Sequence, residues 1–222
     1  MFSFRNKNFY VLAGVLVLLV FYFLYQRDSS PKEVLIPVTI PEGYTEAQTA
    51  EAFAVKLPLF SKENFLVLVA GREGYLFPDT YYFYKTDDEA DAVRLMTENY
   101  EKKLVPLREE IISAGKSEEE IITMASLIEA EAKGDGDRRI IAGILWKRLA
   151  RGTRLEVDAA DETYEKKGLP ESPIGNPGLL AIEAAISPQA SPYFYYLHDK
   201  KGEIHYARTF AEHRENVLKY LK

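Results

Sequence analysis

The sequence contains no cysteine. A disulfide framework, a thiolate nucleophile and a cysteine-ligated zinc site are all excluded. Histidine is scarce, with three in 222 residues. His198, His205 and His213 lack the short spacings of a metal-ligating motif, so polar roles around a hairpin are the better reading, and neither metal nor cofactor is expected. No glycine-rich phosphate loop, nucleophile elbow or HExxH helix occurs. The net charge is −6 and no basic patch stands out, which argues against nucleic acid as a partner.

What the chain does have is, first, a long apolar run. Phe9 to Tyr25 carries no charge, and Asn8 and Gln26 extend the uncharged stretch to nineteen residues. That is enough to cross a hydrocarbon core of about 30 Å. Aromatics crowd both ends, as interfacial anchors do. A cleaved signal peptide wants a shorter apolar region and a small-x-small cleavage site, which Tyr25-Gln26-Arg27-Asp28 does not offer. The expectation is a single transmembrane helix over 9–25. Arg5 and Lys7 favour residues 1–8 in the cytoplasm, a linker over 26–33, and everything beyond it outside.

The second feature is Ser117 to Ala132, SEEEIITMASLIEAEA. Ser117 with Glu120 forms a capping box, and Ile121, Ala125, Ile128 and Ala132 recur at helical spacing as a core-facing stripe. Glu129 falls at the edge of that stripe, beside Ile122 and Ser126. A carboxylate half-sunk in apolar surroundings is expected to have a raised pKa, which suits a general acid. Glu131, two residues on, lies roughly 200° around the helix and cannot act on the same atom. The competing reading is an ordinary surface helix with a glutamate at its boundary.

The remaining chain alternates strands, turns and amphipathic helices. Val34 to Ile40 has strand composition, with Pro37 marking an edge, and Thr45 opens a helix through Val55. This strand–turn–helix resembles part of a LysM-like module, and reads equally well as a packing appendage. Ser61 to Val69 is a short helix. EGYLFPDTYYF (Glu73 to Phe83) is a turn-rich aromatic segment, suited either to a sugar-binding cleft or to a core boundary. Helices follow over Asp87 to Leu107 and Arg138 to Ala150, then a polar loop from Leu155 to Gly168. Asn176-Pro177-Gly178 reads as the start of a helix with Asn176 as N-cap. Tyr193 to His198 and Glu203 to Ala207 form a hairpin, and Thr209 with Glu212 caps the last helix. The architecture expected is α+β: a LysM-like subdomain over 34–70, then a mostly helical catalytic domain over 71–222 with a C-terminal β-hairpin.

Carboxylates beside aromatic platforms point to glycosidic bonds. GYLFPDTYYF (Gly74 to Phe83), ASLIEAEA (Ala125 to Ala132), RLARGTRLEVD (Arg148 to Asp158), TYEKKGLPESPIGNPGLLAIEAAISP (Thr163 to Pro188) and YFYYLHDKKGEIHYARTFAEH (Tyr193 to His213) occur in one order. Together they resemble the YceG-like endolytic murein transglycosylases, the MltG family. That resemblance implies cleavage between N-acetylmuramic acid and N-acetylglucosamine in peptidoglycan glycan strands, leaving 1,6-anhydro-muramic ends and limiting strand length, with peptidoglycan synthases as further partners. It assigns the acid/base to Glu129, the first glutamate of the family's A-S-x-[IV]-E-x-E motif. It further implies Glu73, Asp158, Thr163, Tyr164 and Asn176 as substrate-binding residues. The chain departs from the family in a shortened loop around Ala159 to Thr163. There the family's Tyr-Asn-Thr-Tyr reads Asp161-Glu162-Thr163-Tyr164. That departure keeps a second expectation open, a non-catalytic glycan-binding scaffold.

Overall fold

The computed structural model describes residue 16 and residues 35–132, 134 and 136–222. The chain divides into two units, residues 1–35 and 36–222. The transmembrane helix expected over 9–25 lies outside the described residues apart from Leu16, which is helical and exposed. Among the described residues no helix is long and apolar enough to cross a membrane. The second unit is mostly helical, with two small two-stranded sheets, one of them the C-terminal hairpin.

Strand β1 (Ile36–Thr39) and β2 (Thr80–Phe83) pair antiparallel, with Val38 opposite Tyr81. Between them lie α1 (Glu46–Lys56) and α2 (Lys62–Leu68). The Thr45 side chain accepts from Gln48 N–H and Gln48 returns the bond, so a capping box fixes the start of α1. This lobe has its own core. Phe53 is fully buried, with the Phe60 and Phe83 rings each 5.3 Å away. The core also takes in Phe83, Ala92 and Met96. The reason is strand pairing: β1 is completed by residues that follow the aromatic segment.

The second core surrounds α5 (Glu118–Glu131), reached through α3 (Glu89–Leu104), a 3-10 turn and α4 (Arg108–Ser113). The Ser117–Glu120 capping box is present, and three glutamates in the first turn oppose the positive end of the helix dipole. Every residue from Ile121 to Ile128 is buried. The one-sided stripe expected from periodicity is therefore replaced by a helix enclosed on all faces. Helix α6 (Arg138–Ala150), the single-turn α7 (Glu162–Glu165) and α8 (Leu179–Ile186) follow, with α6 and α8 packed against α5. Gly178, not Asn176, is the N-cap of α8, and no side chain caps it.

The hairpin pairs β3 (Tyr195–His198) with β4 (Ile204–Ala207), Tyr196 facing Tyr206. Helix α9 (Phe210–Tyr220) closes the chain on the hairpin. Thr209 accepts from Glu212 N–H, while the Glu212 carboxylate accepts from Arg208 N–H.

Candidate active site

Glu129 and Glu131 leave the last turn of α5 in different directions, and their surroundings differ accordingly. The Glu129 side chain is 7% exposed. Its Oε1 receives Arg138 Nη2 at 3.0 Å and its Oε2 receives Gly178 N–H at 3.0 Å. Glu42 Oε2 stands 3.9 Å from the same guanidinium nitrogen. The β1–α1 loop presses close here: a Cβ added to Gly178 would fall 2.0 Å from Glu42 Oε1, and the Glu42 side chain would have to shift to admit it. Both Glu129 oxygens are thus committed where α5, α6 and α8 meet that loop. A buried carboxylate is tolerated when paired and hydrogen-bonded in this way.

Glu131 opens instead on a cavity of about 650 Å³. Arg148, Glu156, Asp158, Tyr164 and Tyr196 share its wall. Burial pushes the Glu131 carboxyl above the ordinary carboxylate range, and the charge of Asp158 adds to this. Opposing it are the Tyr196 hydroxyl beside it and the Asp158 N–H, which donates to Glu131 Oε1 at 3.1 Å. Burial also drives the Tyr196 phenol well above its usual range, which keeps it a donor. A carboxyl raised by burial among aromatic rings is equipped to give and retrieve a proton.

Arg148 assembles this wall. The buried guanidinium donates from Nε to Phe194 O at 2.9 Å and from Nη1 to Leu155 O. It thereby ties the start of the hairpin and the 155–158 loop to α6. Glu156 holds a left-handed backbone, φ 52°, between that anchor and Thr163. Tyr164 donates to Asp158 Oδ1, and burial pushes its phenol up to about 12.

Of the residues the sequence singled out, Asp158 and Tyr164 therefore join Glu131 at the cavity. Thr163 does not: it is 2% exposed, and its hydroxyl accepts from Val157 N–H and donates to Ala160 O, pinning the loop from beneath. Asn176 is fully buried. Its Oδ1 accepts from Gly74 and Leu76 N–H, and its Nδ2 donates to Tyr44 O and Glu73 Oε1. Its polar atoms are spent on joining the two lobes. Glu73 belongs to the same junction, where both its oxygens accept from Glu46 N–H. Burial, with the Glu46 charge, raises Glu73 to about 7.

Glu131, which helical geometry turns away from Glu129, lines the cavity with Arg148, Tyr196 and α9, none of which the spacing alone marks. The signal for Glu131 was present in the 200° offset from Glu129, which separates two environments as well as two directions. Away from the cavity, Asp199, Glu203 and His205 place ligand-type atoms within 4.8 Å of one another. Asp199 already accepts from Lys201 and Glu203 N–H and meets His205 Nε2 at 3.1 Å, the pattern of a hairpin turn held by its own side chain.

Comparison with known proteins bears on the family and the fold. The profile of the YceG-like family matches residues 20–161 and 162–219, divided at the shortened loop. An endolytic murein transglycosylase of Bacillus subtilis is 33% identical over 172 residues, covering 67% of this chain and 48% of that protein. One from Streptococcus pneumoniae serotype 2 is 27% identical over 257 residues, covering 87% of this chain and 46% of the relative. The chain spans about half the length of the curated relatives it matches. A span of 257 positions against a 222-residue chain also means that the pneumococcal protein carries extra residues within it. The 2.6 Å crystal structure of a YceG-like protein from Listeria monocytogenes superposes with a TM-score of 0.75 at 26% identity, covering 82% of this chain and 76% of that one. Ordered motifs, a shared fold and a profile that runs through nearly the whole sequence lead to one conclusion: this chain belongs to the YceG-like family.

Proposed function

We propose that the chain is a lytic transglycosylase that cuts peptidoglycan glycan strands internally, with Glu131 as its acid and base. The observation that carries the reading is the Glu131 carboxyl, raised by burial in an aromatic-lined cavity. As acid, Glu131 donates its proton to the glycosidic oxygen while the bond from that oxygen to muramic C1 breaks. As base, the resulting carboxylate takes the proton of the muramic C6 hydroxyl while O6 bonds to C1. The product is a 1,6-anhydro ring, no water is consumed, and the glutamate ends protonated as it began. One carboxyl group suffices because the nucleophile belongs to the substrate, unlike the paired carboxylates of ordinary glycosidases. Asp158 N–H and Tyr196 steady the carboxylate between the two transfers.

Glu129, assigned this role by motif position, is better suited to holding α5 in place through Arg138 and Gly178. The apolar run at 9–25 would keep the enzyme on the outer face of the membrane, beside newly made strands and the synthases that extend them. Mass spectrometry of products from purified strands tests the reading. Anhydro-ended fragments are expected from the parent and none from Glu131→Gln. Reducing-end fragments would identify a hydrolase, and no fragments from the parent would favour a glycan-binding scaffold.

A further inference from the structure

The wall of the cavity formed by α9 takes no part in the proton transfers. Phe210 and His213 lie on it, facing the space that Glu131 also lines, with Tyr195 of β3 beside them. Their rings form one surface. Phe210 and Tyr195 have centroids 5.9 Å apart at 57°, Tyr195 and His213 lie 5.4 Å apart at 26°, and Phe210 and His213 lie 6.3 Å apart. The Arg148 guanidinium sits 5.3 Å over Tyr195, so the same arginine that sets the Glu131 side of the cavity also supports these rings. Burial and the nearby Arg148 hold the His213 imidazole below its usual range, which disfavours a charge on this surface.

Phe210 remains 59% exposed despite these contacts. It is the first residue of a helix that buries none of its side chains, so the fold gains little from an aromatic there. Leu218, on the same helix, is 57% exposed and does not line the cavity. A large ring left open inside a cavity, braced by two others, needs a flat apolar partner. The face of a hexopyranose, with its axial C–H groups, has that shape and chemistry.

We propose that Phe210, seated on Tyr195 and His213, is a substrate-binding platform that packs against a hexopyranose ring adjoining the bond that Glu131 breaks. The proposal deepens the glycan-cleaving reading and rests on it for the identity of the ligand. It places a sugar contact on α9, across the cavity wall from the Asp158–Tyr164 loop. Because the contact is apolar, it tolerates salt, unlike a charge-based subsite.

The test uses the full chain in detergent with soluble glycan strands, comparing Phe210→Ala, Phe210→Trp and Leu218→Ala. Phe210→Ala is expected to raise KM about fivefold with kcat within about twofold, the size of one aromatic contact, while melting unchanged. Phe210→Trp should retain the parental KM, and Leu218→Ala should behave as the parent. An unchanged KM in Phe210→Ala, or an equal rise in Leu218→Ala, overturns the platform. Binding of strands to the Glu131→Gln background, with and without Phe210→Ala, decides the matter independently of turnover. Weaker binding in the double variant supports the platform even if the parent proves inactive, and equal binding refutes it. Undiminished cutting by Glu131→Gln would instead sink the assignment of the acid and leave the platform standing.

Discussion

Replacing each glutamate of the last α5 turn by glutamine should produce opposite failures. Glu131→Gln keeps the shape of the side chain and removes the transferable proton. The loss of a positioned acid and base is roughly 10²–10⁴-fold in kcat. Its thermal stability should hold or rise, because the carboxyl is raised by burial and a neutral amide avoids that penalty. Glu129→Gln leaves the cavity wall intact but removes the charge that Arg138, itself 10% exposed on its side chain, meets at 3.0 Å. Breaking a buried ion pair costs about 3–5 kcal/mol, and Glu42 at 3.9 Å offsets part of it, so about 3 kcal/mol is a fair expectation. At ~2–4 °C per kcal/mol for a unit of this size, melting should fall by roughly 6–12 °C. Calorimetry paired with product analysis at 20 °C or so, below the lowered transition, reads both effects. Anhydro products from Glu129→Gln and none from Glu131→Gln are expected. The reasoning is refuted if Glu129→Gln is folded, unshifted in melting and silent while Glu131→Gln cuts normally.

Three further outcomes follow from the same contacts. The acid form of Glu131 predominates below its raised pKa, so kcat should decline as pH climbs through that value, and a rate rising over the same limb would contradict the assignment. Glu73 binds its proton more tightly in the folded chain, at about 7 against 4.5 unfolded, so its stabilisation is complete below about 4.5 and is lost as pH rises through 7. With half-exposure discounted the loss is roughly 1–2 kcal/mol, and Glu73→Gln should flatten the pH dependence seen by urea titration. Asn176→Ala strands the N–H groups of Gly74 and Leu76 and should destabilise by about 2–5 kcal/mol while leaving KM unaltered; a KM effect at full stability would restore it as a ligand.

Much of the local structure was legible in the sequence because its causes are local. Ser117 with Glu120, Thr45 with Gln48, and Thr209 each start a helix with a side chain three residues from its partner. The hairpin was equally plain. Periodicity failed at α5 for a physical reason: Ile121, Ile122, Met124, Ala125, Leu127 and Ile128 are all buried, so the pattern assigns no solvent side and says nothing about which glutamate meets open space. Motif position pointed to Glu129, whereas the cavity is made by Arg148, the 155–164 loop and α9, elements brought together only by the fold. The N-cap reading of Asn176 fails because its contacts are not local. Its place before Pro177 reads as a cap, yet its partners are 100 and 102 positions away.

Those distances bear on how the chain acquires its shape during synthesis. Gly74 and Leu76 find their acceptor only when residue 176 has been made. At ~5–20 residues per second, that interval is on the order of 5–20 s. Until then the small lobe lacks the junction that completes it, and Gly43 N–H lacks its acceptor, Asn176 O. A chaperone or protease that samples the emerging chain would meet this seam still unjoined, and slowing translation ahead of residue 176 should lengthen that exposure.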